Sequence, residues 1–441
     1  MKPQPNRDSR PSSAFSSEDF GVLSSKCRRR PTASIWLRFH TALSPFSFLL
    51  APPKYTLFVT QFFYFDDESN PLRLSCGSQL PQFQLAYETY GTLCPDKSNA
   101  ILLFHAMTGS QHAAGFCEGV PNLEVEWTDE LKTGWWDGFI GPGKALDTDH
   151  FFIICANYLG GCYGSTGPTS RRENGQLWGA DFPPVRVADI VDSQMRLLDS
   201  LEIEQLHGVV GASIGGLLSL SLATRYPHRV RKVVPMACGM ETSILARILN
   251  FEQINAIESD PNFAGGRYAQ NGAKPDAGLA LARRIAHKTF VSLEDLIERA
   301  SERGIVSGAP PFGWYEMNSP VESYMHWQGE KFVRRFDANS YLRILDAWQW
   351  FDLVREGRAE TVEKLFARCA DHEFLVFSID SDLAFSPREQ EKLVRALKEM
   401  KGRKRQNEVT WISVHSEKGH DSFLLEPKLY APHLRALLLG E

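Results

Sequence analysis

Short apolar runs alternate with amphipathic segments along the chain from about residue 60 onward. Most of these runs are continuously apolar, a pattern that predicts strands covered on both faces of a sheet. They span residues 83–91, 100–106, 151–157, 207–213, 231–237, 373–380 and 409–415. Helical periodicity is clearest at 186–202, 214–226, 387–401 and 422–438. This alternation predicts an α/β protein whose mostly parallel sheet carries helices on both faces.

One long interval lacks this alternation. Between residues 238 and 368 the pattern is helical only, as in 278–290, 292–300 and 340–357. Ligands of open α/β sheets bind at the carboxyl edge of the strands, so an inserted helical cap would cover the site there. We therefore predict a core at 58–237 and 369–441 with a cap at 238–368.

The first 57 residues differ in composition from the rest. Residues 1–20 are polar and rich in Ser and Pro, which predicts a disordered extension. The apolar stretch that follows is interrupted by Arg38, His40 and Pro45, which argues against a secretory signal or a membrane span.

Charge and cysteine usage narrow the class of protein. The formal net charge of −5 gives no basic field, so no nucleic-acid partner is expected. The 8 cysteines form no CxxC pair, which indicates reduced thiols in a cytoplasmic protein, without disulfides or a metal.

The segment "HGVVGASIGG" (207–216) carries the first candidate for chemistry. Gly211-x-Ser213-x-Gly215 follows a predicted strand and precedes a predicted helix, which is the context of the nucleophile elbow in the α/β-hydrolase fold. The glycines allow a tight, strained turn, and the helix N-terminus directs amides at a developing oxyanion. Ser213 is therefore the candidate nucleophile.

A serine nucleophile needs a base and an orienting carboxylate, which in this fold follow it along the chain. Asp380 and Asp382 end the strand at 373–380, and His420 follows the next strand. We prefer Asp382 because it lies past the strand end, where a loop can direct it toward His420. Structural roles are expected for His207, His287 and His415. His105 ends the strand at 100–106, a position that usually supplies the second oxyanion amide rather than a base.

At this point the chain resembles the homoserine O-acetyltransferases of methionine biosynthesis. The resemblance rests on ordered segments that cover nearly everything from about residue 60 to the C-terminus. They are "LAYETYGTL" (85–93), "HAMTGSQHAAG" (105–115), "GWWDGFIGPGKALDTDHFFIICANYLGGCYGSTGPTS" (134–170), "VVGASIGG" (209–216), "YMHWQGEKFVRRFDANSYL" (324–342), "IDSDLAFSP" (379–387) and "GHDSFLLEP" (419–427).

The resemblance implies a ping-pong acyl transfer. Ser213, with His420 as base and Asp382 behind it, would take an acetyl group from acetyl-CoA and pass it to homoserine. The backbone amides of Met107 and Ile214 would hold the oxyanion. Acetyl-CoA enters as a substrate, and neither a resident cofactor nor a metal is implied.

The resemblance also implies which residues bind the amino acid. Arg283 and Asp421 would hold its carboxylate and amine, and a zwitterion in a dry tunnel does need one cation and one anion. The alternative for Arg283 is a surface or interface ion pair, with Arg284 as the other candidate for that role. Phe290 stands where the family often has tyrosine, which removes one hydroxyl near the substrate.

Several alternatives stay open from the sequence. Relatives that use succinyl-CoA as donor or serine as acceptor share these motifs, and a carboxylesterase-type hydrolase uses the same triad. A binding module without catalysis would not need an intact triad. The apolar helix at 336–350, together with the resemblance, predicts a homodimer formed through the cap helices.

Overall fold

The computed structural model of the chain describes residues 57–304, 314–400, 402 and 409–440, apart from the side chain of Asn271. The predicted extension at 1–57 therefore lies outside the described residues, except for Leu57. In the described part of the chain, no helix is long and apolar enough to cross a membrane.

An eight-stranded sheet forms the centre of the protein. Its strand order is β1-β4-β6-β5-β7-β8-β9-β10, antiparallel at β1–β4 and β4–β6 and parallel at every other pairing. The strands of the described residues are β1 (Gln61–Asp66), β2 (Leu72–Arg73), β3 (Gln79–Leu80), β4 (Gln82–Tyr90), β5 (Ala100–Phe104), β6 (Phe152–Ala156), β7 (Leu206–Ala212), β8 (Val230–Met236), β9 (Glu373–Ile379) and β10 (Val409–Val414). The predicted α/β class and the mostly parallel sheet are confirmed.

Helices cover both faces of this sheet. They are α1 (Asp129–Lys132), α2 (Val187–Ser200), α3 (Ile214–Arg225), α4 (Ile244–Glu258), α5 (Tyr268–Asn271), α6 (Asp276–Phe290), α7 (Leu293–Arg303), α8 (Pro320–Arg335), α9 (Ala338–Gln349), α10 (Leu353–Glu356), α11 (Val362–Phe366), α12 (Pro387–Lys398), α13 (Ser422–Leu425) and α14 (Pro427–Leu439). Short 3₁₀ turns, including Gly419–Asp421, lie between some of them.

The apolar runs are continuous because alternate residues serve two cores. Along β5, Leu102 and Phe104 belong to the core that also contains residues of α2 and α3, whereas Ile101 and Leu103 belong to the core beneath α14. All four side chains are fully buried. A strand with both faces covered has no exposed positions, so its sequence does not alternate.

The cap helices follow one another between β8 and β9. Helix α6 packs against both α4 and α8, and it also contacts the 3₁₀ turn Gly419–Asp421 that carries His420. A Cβ at Gly329 would lie 2.9 Å from the carbonyl oxygen of Ala280, so glycine permits the close approach of α8 to α6. The cap thus reaches the carboxyl edge of the sheet, and the division into core and cap at 238 and 368 stays a prediction.

Several elements differ from the sequence prediction. Strand β1 is additional, an edge strand whose aromatic run of 62–65 shows no alternation. The helix predicted at 340–357 is two helices, with α9 ending at Gln349 and α10 starting at Leu353. The helix predicted at 422–438 is divided at Glu426, because Pro427 has no amide hydrogen with which to continue it.

Candidate active site

Ser213 occupies a strained turn between β7 and α3. Its φ of 60° and ψ of −127° lie outside the regions that non-glycine residues favour. A Cβ at Gly211 would lie 2.2 Å from the carbonyl oxygen of Gly215, so no larger residue fits this turn. The Ser213 amide donates to the carbonyl of Met236 at 3.0 Å, which ties the turn to the neighbouring strand. The backbone therefore has the shape of the predicted elbow.

The loops after β9 and β10 bring a carboxylate and an imidazole together. Nδ1 of His420 lies 2.8 Å from Oδ2 of Asp382, and both side chains are buried. The other carboxylate oxygen, Oδ1, accepts the amides of Ala384 and Phe385, each at 2.8 Å. The carboxylate thus holds the proton of His420 on Nδ1. Nε2 is left as the basic nitrogen, and it has no hydrogen-bond partner among the described residues.

The electrostatics of His420 suit a general base near neutral pH. Burial lowers the pKa of the imidazole, but the charge of Asp382, the hydrogen bond to it and the charge of Asp421 outweigh burial and raise the pKa above its ordinary value. The ring also stacks on Phe385 at 5.7 Å between centroids and meets the edge of Phe423 at 5.3 Å. These contacts fix the plane of the base.

The other candidate carboxylate and histidines lie elsewhere. Asp380 pairs with His415 at 2.7 Å on the surface, where the His415 side chain is 85% exposed. The placement of His415 within a strand was wrong, because β10 ends at Val414. His207 is the second residue of β7, one position after the start, and its Nε2 lies 2.9 Å from the carbonyl oxygen of Leu438.

His105 directly follows β5 and is buried. Its ring stacks on Tyr158 at 3.6 Å between centroids, and burial lowers the pKa of the imidazole to about 4. His287 lies in α6 and is also buried, which lowers its pKa to about 3. Both histidines are therefore neutral at neutral pH, and neither pairs with a carboxylate as His420 does.

A cavity of about 230 Å³ opens beside Ser213. Among the residues in its wall are Met107, Arg283, His420 and Asp421, so four of the predicted site residues share one space with the serine. Ile214 does not line the cavity, but its amide is the first of α3 and has no acceptor within the helix. The remaining lining residues are Ala106, Thr108, Gly109, Ser110, His112, Glu130, Leu131, Thr133, Trp135, Phe290, Arg335, Trp348, Phe423 and Leu424.

Arg283 reaches the cavity from α6. Its guanidinium carbon lies 5.2 Å from the ring centroid of Phe290 and 5.0 Å from that of Phe332, and its buried Nε has no hydrogen-bond partner among the described residues. Burial and the charge of Arg335 lower its pKa. Arg284 instead places Nη1 3.2 Å from Nδ1 of His326. Arg283, rather than Arg284, therefore lines the site.

Asp421 provides the matching negative charge in the same cavity. Burial raises the pKa of its carboxyl, while the charges of His420, Arg283 and Arg299 oppose that effect. Arg283 and Asp421 thus place a guanidinium and a carboxylate in the wall of a space that is large enough for a small amino acid. Phe290 lines the same space, with its ring centroid 6.3 Å from that of His420.

Sequence reasoning missed a second arginine in the wall. Nε of Arg335 lies 2.6 Å from Oε1 of Glu130, and its Nη1 donates to the carbonyl of Thr108 at 3.2 Å and to the hydroxyl of Tyr163 at 2.9 Å. Arg335 lies in "GEKFVRRFDANSYL", but nothing in that string shows that it faces Glu130, which is 205 residues away. Trp135 also lines the cavity, whereas Trp136 is buried in the core.

These features define an enzyme of the α/β-hydrolase fold. The family model for this fold matches residues 99–410. Among solved structures, esterase E22 superimposes with a TM-score of 0.74 at 25% identity, covering 86% of this chain and 100% of the other. The homoserine O-acetyltransferase of Bacillus anthracis gives the same TM-score at 26% identity, covering 87% of this chain and 98% of the other.

Sequence comparison narrows the class to one family. The homoserine O-succinyltransferase of Acidithiobacillus ferrooxidans (strain ATCC 53993 / BNL-5-31) is 41% identical over 84% of this chain and 92% of its own. That of Cellvibrio japonicus (strain Ueda107) is 41% identical over 82% of this chain and 91% of its own. The chain belongs to the homoserine O-acyltransferase family, and it is an O-acyltransferase.

Proposed function

We propose that this protein transfers an acetyl group from acetyl-CoA to the γ-hydroxyl of L-homoserine by a ping-pong mechanism. The observation that carries the proposal is the single cavity in which Ser213 and His420 face Arg283 and Asp421. A nucleophile and its base beside one cation and one anion form a site for acylating a zwitterion.

In the first half-reaction, the Oγ of Ser213 attacks the thioester carbonyl carbon while its proton passes to Nε2 of His420. The amides of Met107 and Ile214 stabilise the oxyanion that forms. Collapse of the tetrahedral intermediate breaks the carbon–sulfur bond, and His420 returns the proton to the departing sulfur. Free CoA leaves, and the acetyl group remains on Ser213 as an ester.

In the second half-reaction, homoserine takes the place that CoA has left. Its carboxylate faces Arg283 and its ammonium group faces Asp421, which directs the γ-hydroxyl toward Ser213. His420 removes the hydroxyl proton, the oxygen attacks the ester carbon, and collapse of the intermediate returns that proton to Ser213. The products are O-acetylhomoserine and the free enzyme.

The preference for acetyl over succinyl rests on the charges in the cavity. A succinyl group carries a second carboxylate, which needs its own cation in a site of this kind. The lining residues that the structure describes include two arginines and no lysine. Arg283 is needed for the homoserine carboxylate, and Arg335 is already paired with Glu130. An acetyl group places no further charge in this space.

The test measures CoA release from acetyl-CoA and from succinyl-CoA, each with homoserine, with serine or without an acceptor. We expect fast release only with acetyl-CoA and homoserine, and none from Ser213→Ala. A preference for succinyl-CoA would overturn the proposed donor, and a preference for serine would overturn the proposed acceptor. In either case the acyl-transfer mechanism would stand. Equal release without an acceptor would mean that water takes the acyl group, as in an esterase.

We also propose that the protein forms a homodimer through the cap. Along α4 an apolar face is open to solvent, formed by Ile244, Leu245, Ile248 and Phe251, which are between 51% and 80% exposed. Their spacing places them on one side of the helix, so the same face of a second copy can cover it around a twofold axis. Phe251→Glu should convert a dimer into a monomer in sedimentation velocity. A monomeric wild-type protein at micromolar concentration would overturn this proposal.

A further inference from the structure

A buried group of polar side chains lies behind the segment that carries Met107. At its centre, Oε2 of Glu88 in β4 lies 2.8 Å from Nδ1 of His112. The same oxygen accepts the hydroxyl of Tyr90 at 2.9 Å, and Oε1 accepts the hydroxyl of Thr60 at 2.9 Å. Glu88 and His112 are each 1% exposed, so water does not share these hydrogen bonds.

Both ring nitrogens of His112 have hydrogen-bond partners. Nδ1 lies 2.8 Å from Oε2 of Glu88, and Nε2 lies 3.0 Å from the carbonyl oxygen of Lys132. A carbonyl oxygen only accepts hydrogen bonds, so Nε2 donates to it. The imidazole is therefore held on both sides, by β4 and by the backbone of Lys132.

The alternative role for this group of side chains is to bind a metal ion. Ligand atoms of Glu88, His112 and Cys117 lie within 4.8 Å of one another. However, the nitrogen that would bind a metal is already at hydrogen-bond distance from Glu88, and both carboxylate oxygens accept hydroxyl donors. Burial also raises the pKa of the Cys117 thiol, which opposes the thiolate that a metal needs. The geometry favours a hydrogen-bonded pair of Glu88 and His112 over a metal site.

The pair holds the segment 105–115 at several points. Besides His112, the Tyr90 hydroxyl that donates to Glu88 accepts the amides of Ala113 at 2.7 Å and Ala114 at 3.2 Å. Gln111 donates to the hydroxyl of Thr60 at 3.0 Å, and that hydroxyl donates to Glu88. Three routes thus lead from one carboxylate to the segment whose Met107 lines the cavity.

We propose that Glu88 and His112 are positioning residues, a buried hydrogen-bonded pair that fixes segment 105–115 so that the Met107 amide faces the oxyanion. This proposal rests on the oxyanion role assigned to Met107 in the proposed function. An oxyanion donor is effective only when it is held in place before the reaction. His112 lines the same cavity as Arg283 and Asp421, but Glu88 does not, so a change at Glu88 should influence acylation and leave homoserine binding unchanged.

The test is the rate of acylation of Ser213 by p-nitrophenyl acetate, followed by the burst of p-nitrophenol in stopped flow. This ester reports on the oxyanion hole whatever the natural donor and acceptor are, so the result is independent of the substrate assignment. A displacement of about 1 Å costs on the order of 100-fold in rate, and we expect Glu88→Gln to slow the burst by about 10- to 100-fold. The KM for homoserine should stay within about twofold.

A matched control and a double variant separate positioning from simple loss of stability. His415→Asn removes a histidine–aspartate pair on the surface and should leave the burst unchanged. Because Glu88 and His112 act as a unit, Glu88→Gln combined with His112→Gln should be no slower than the worse single variant. Additive losses, or a lowered melting temperature with an unchanged burst, would overturn the proposal.

One measurement on the wild-type protein, its metal content, does not depend on the folding of any variant. We expect no stoichiometric metal. Stoichiometric metal in the purified protein, lost together with activity on chelation, would overturn the hydrogen-bonded pair in favour of a metal site.

Discussion

Asp382 and His420 come from two successive strand ends and meet at 2.8 Å between Oδ2 and Nδ1. The remaining carboxylate oxygen is fixed by two backbone amides, so Asp382 cannot rotate away from the imidazole. This relationship selects the tautomer of His420, which lines the same cavity as Ser213. The proposed catalytic geometry thus depends on a loop of only a few residues after β9.

Asp382→Asn should lower kcat by on the order of 10⁴-fold, because an amide can hold the imidazole in the wrong tautomer. Steady-state kinetics with acetyl-CoA and homoserine measure this loss. Asp380→Asn is the matched control, since Asp380 contacts the exposed His415 and Ser416 instead of the base. A loss of similar size in Asp380→Asn would contradict the assignment of the triad acid.

The pH dependence should follow the protonation of His420. The base must be neutral to accept a proton, and its pKa is raised, so kcat/KM should fall on the acid side of a midpoint above about 6.5. The charge of Asp421 contributes to that rise. Asp421→Asn removes a negative charge that stabilises the imidazolium, so the midpoint should move to lower pH. Profiles of the acylation step that coincide for the two proteins would exclude this coupling.

Arg283→Gln should raise the KM for homoserine and leave acylation by acetyl-CoA nearly unchanged. A hydrogen bond to a charged group contributes about 1.5–3 kcal/mol, which corresponds to about 10- to 150-fold in binding. Pre-steady-state CoA release and steady-state KM values separate the two effects. Arg284→Gln serves as the control, and its KM should match the wild type because Arg284 is not among the residues that line the cavity.

The strain at Ser213 should be visible in stability. With a φ of 60°, Ser213 stores about 1–3 kcal/mol that glycine at this position would not. Ser213→Gly and Ser213→Ala both lack the nucleophile, but only glycine relieves the backbone. In urea unfolding, the free energy of unfolding should be about 1 kcal/mol higher for Ser213→Gly than for Ser213→Ala. The relief of strain is partly offset because glycine has the larger conformational entropy in the unfolded chain. Equal stability of the two variants would argue against strain in the turn.

The sequence predicted the sheet well because its strands are buried on both faces and therefore continuously apolar. It also led to Asp382 and His420, since the order of the triad follows from the order of the strands. Element ends were less accurate. The break after α9 has one signal in the sequence of 340–357, which is Asp352, the residue that caps α10. Trp350 is half exposed at this break.

The contacts that sequence reasoning missed are distant along the chain. Arg335 pairs with Glu130 across 205 residues, and Glu88 pairs with His112 across 24. Neither pair has a motif, because the spacing between partners on different elements of the chain is set by the tertiary fold. The only available signal for His112 was its place in "HAMTGSQHAAG", which marks the segment without indicating its partner.

The most direct test of the central claim is to trap the acyl-enzyme. Purified protein would be mixed with acetyl-CoA, quenched, digested and examined by mass spectrometry, with and without a chase of homoserine. We expect an acetyl ester on Ser213 that the chase converts to O-acetylhomoserine, and no ester in Ser213→Ala. An acetyl group on another residue, or one that is lost to water equally fast with and without homoserine, would contradict it.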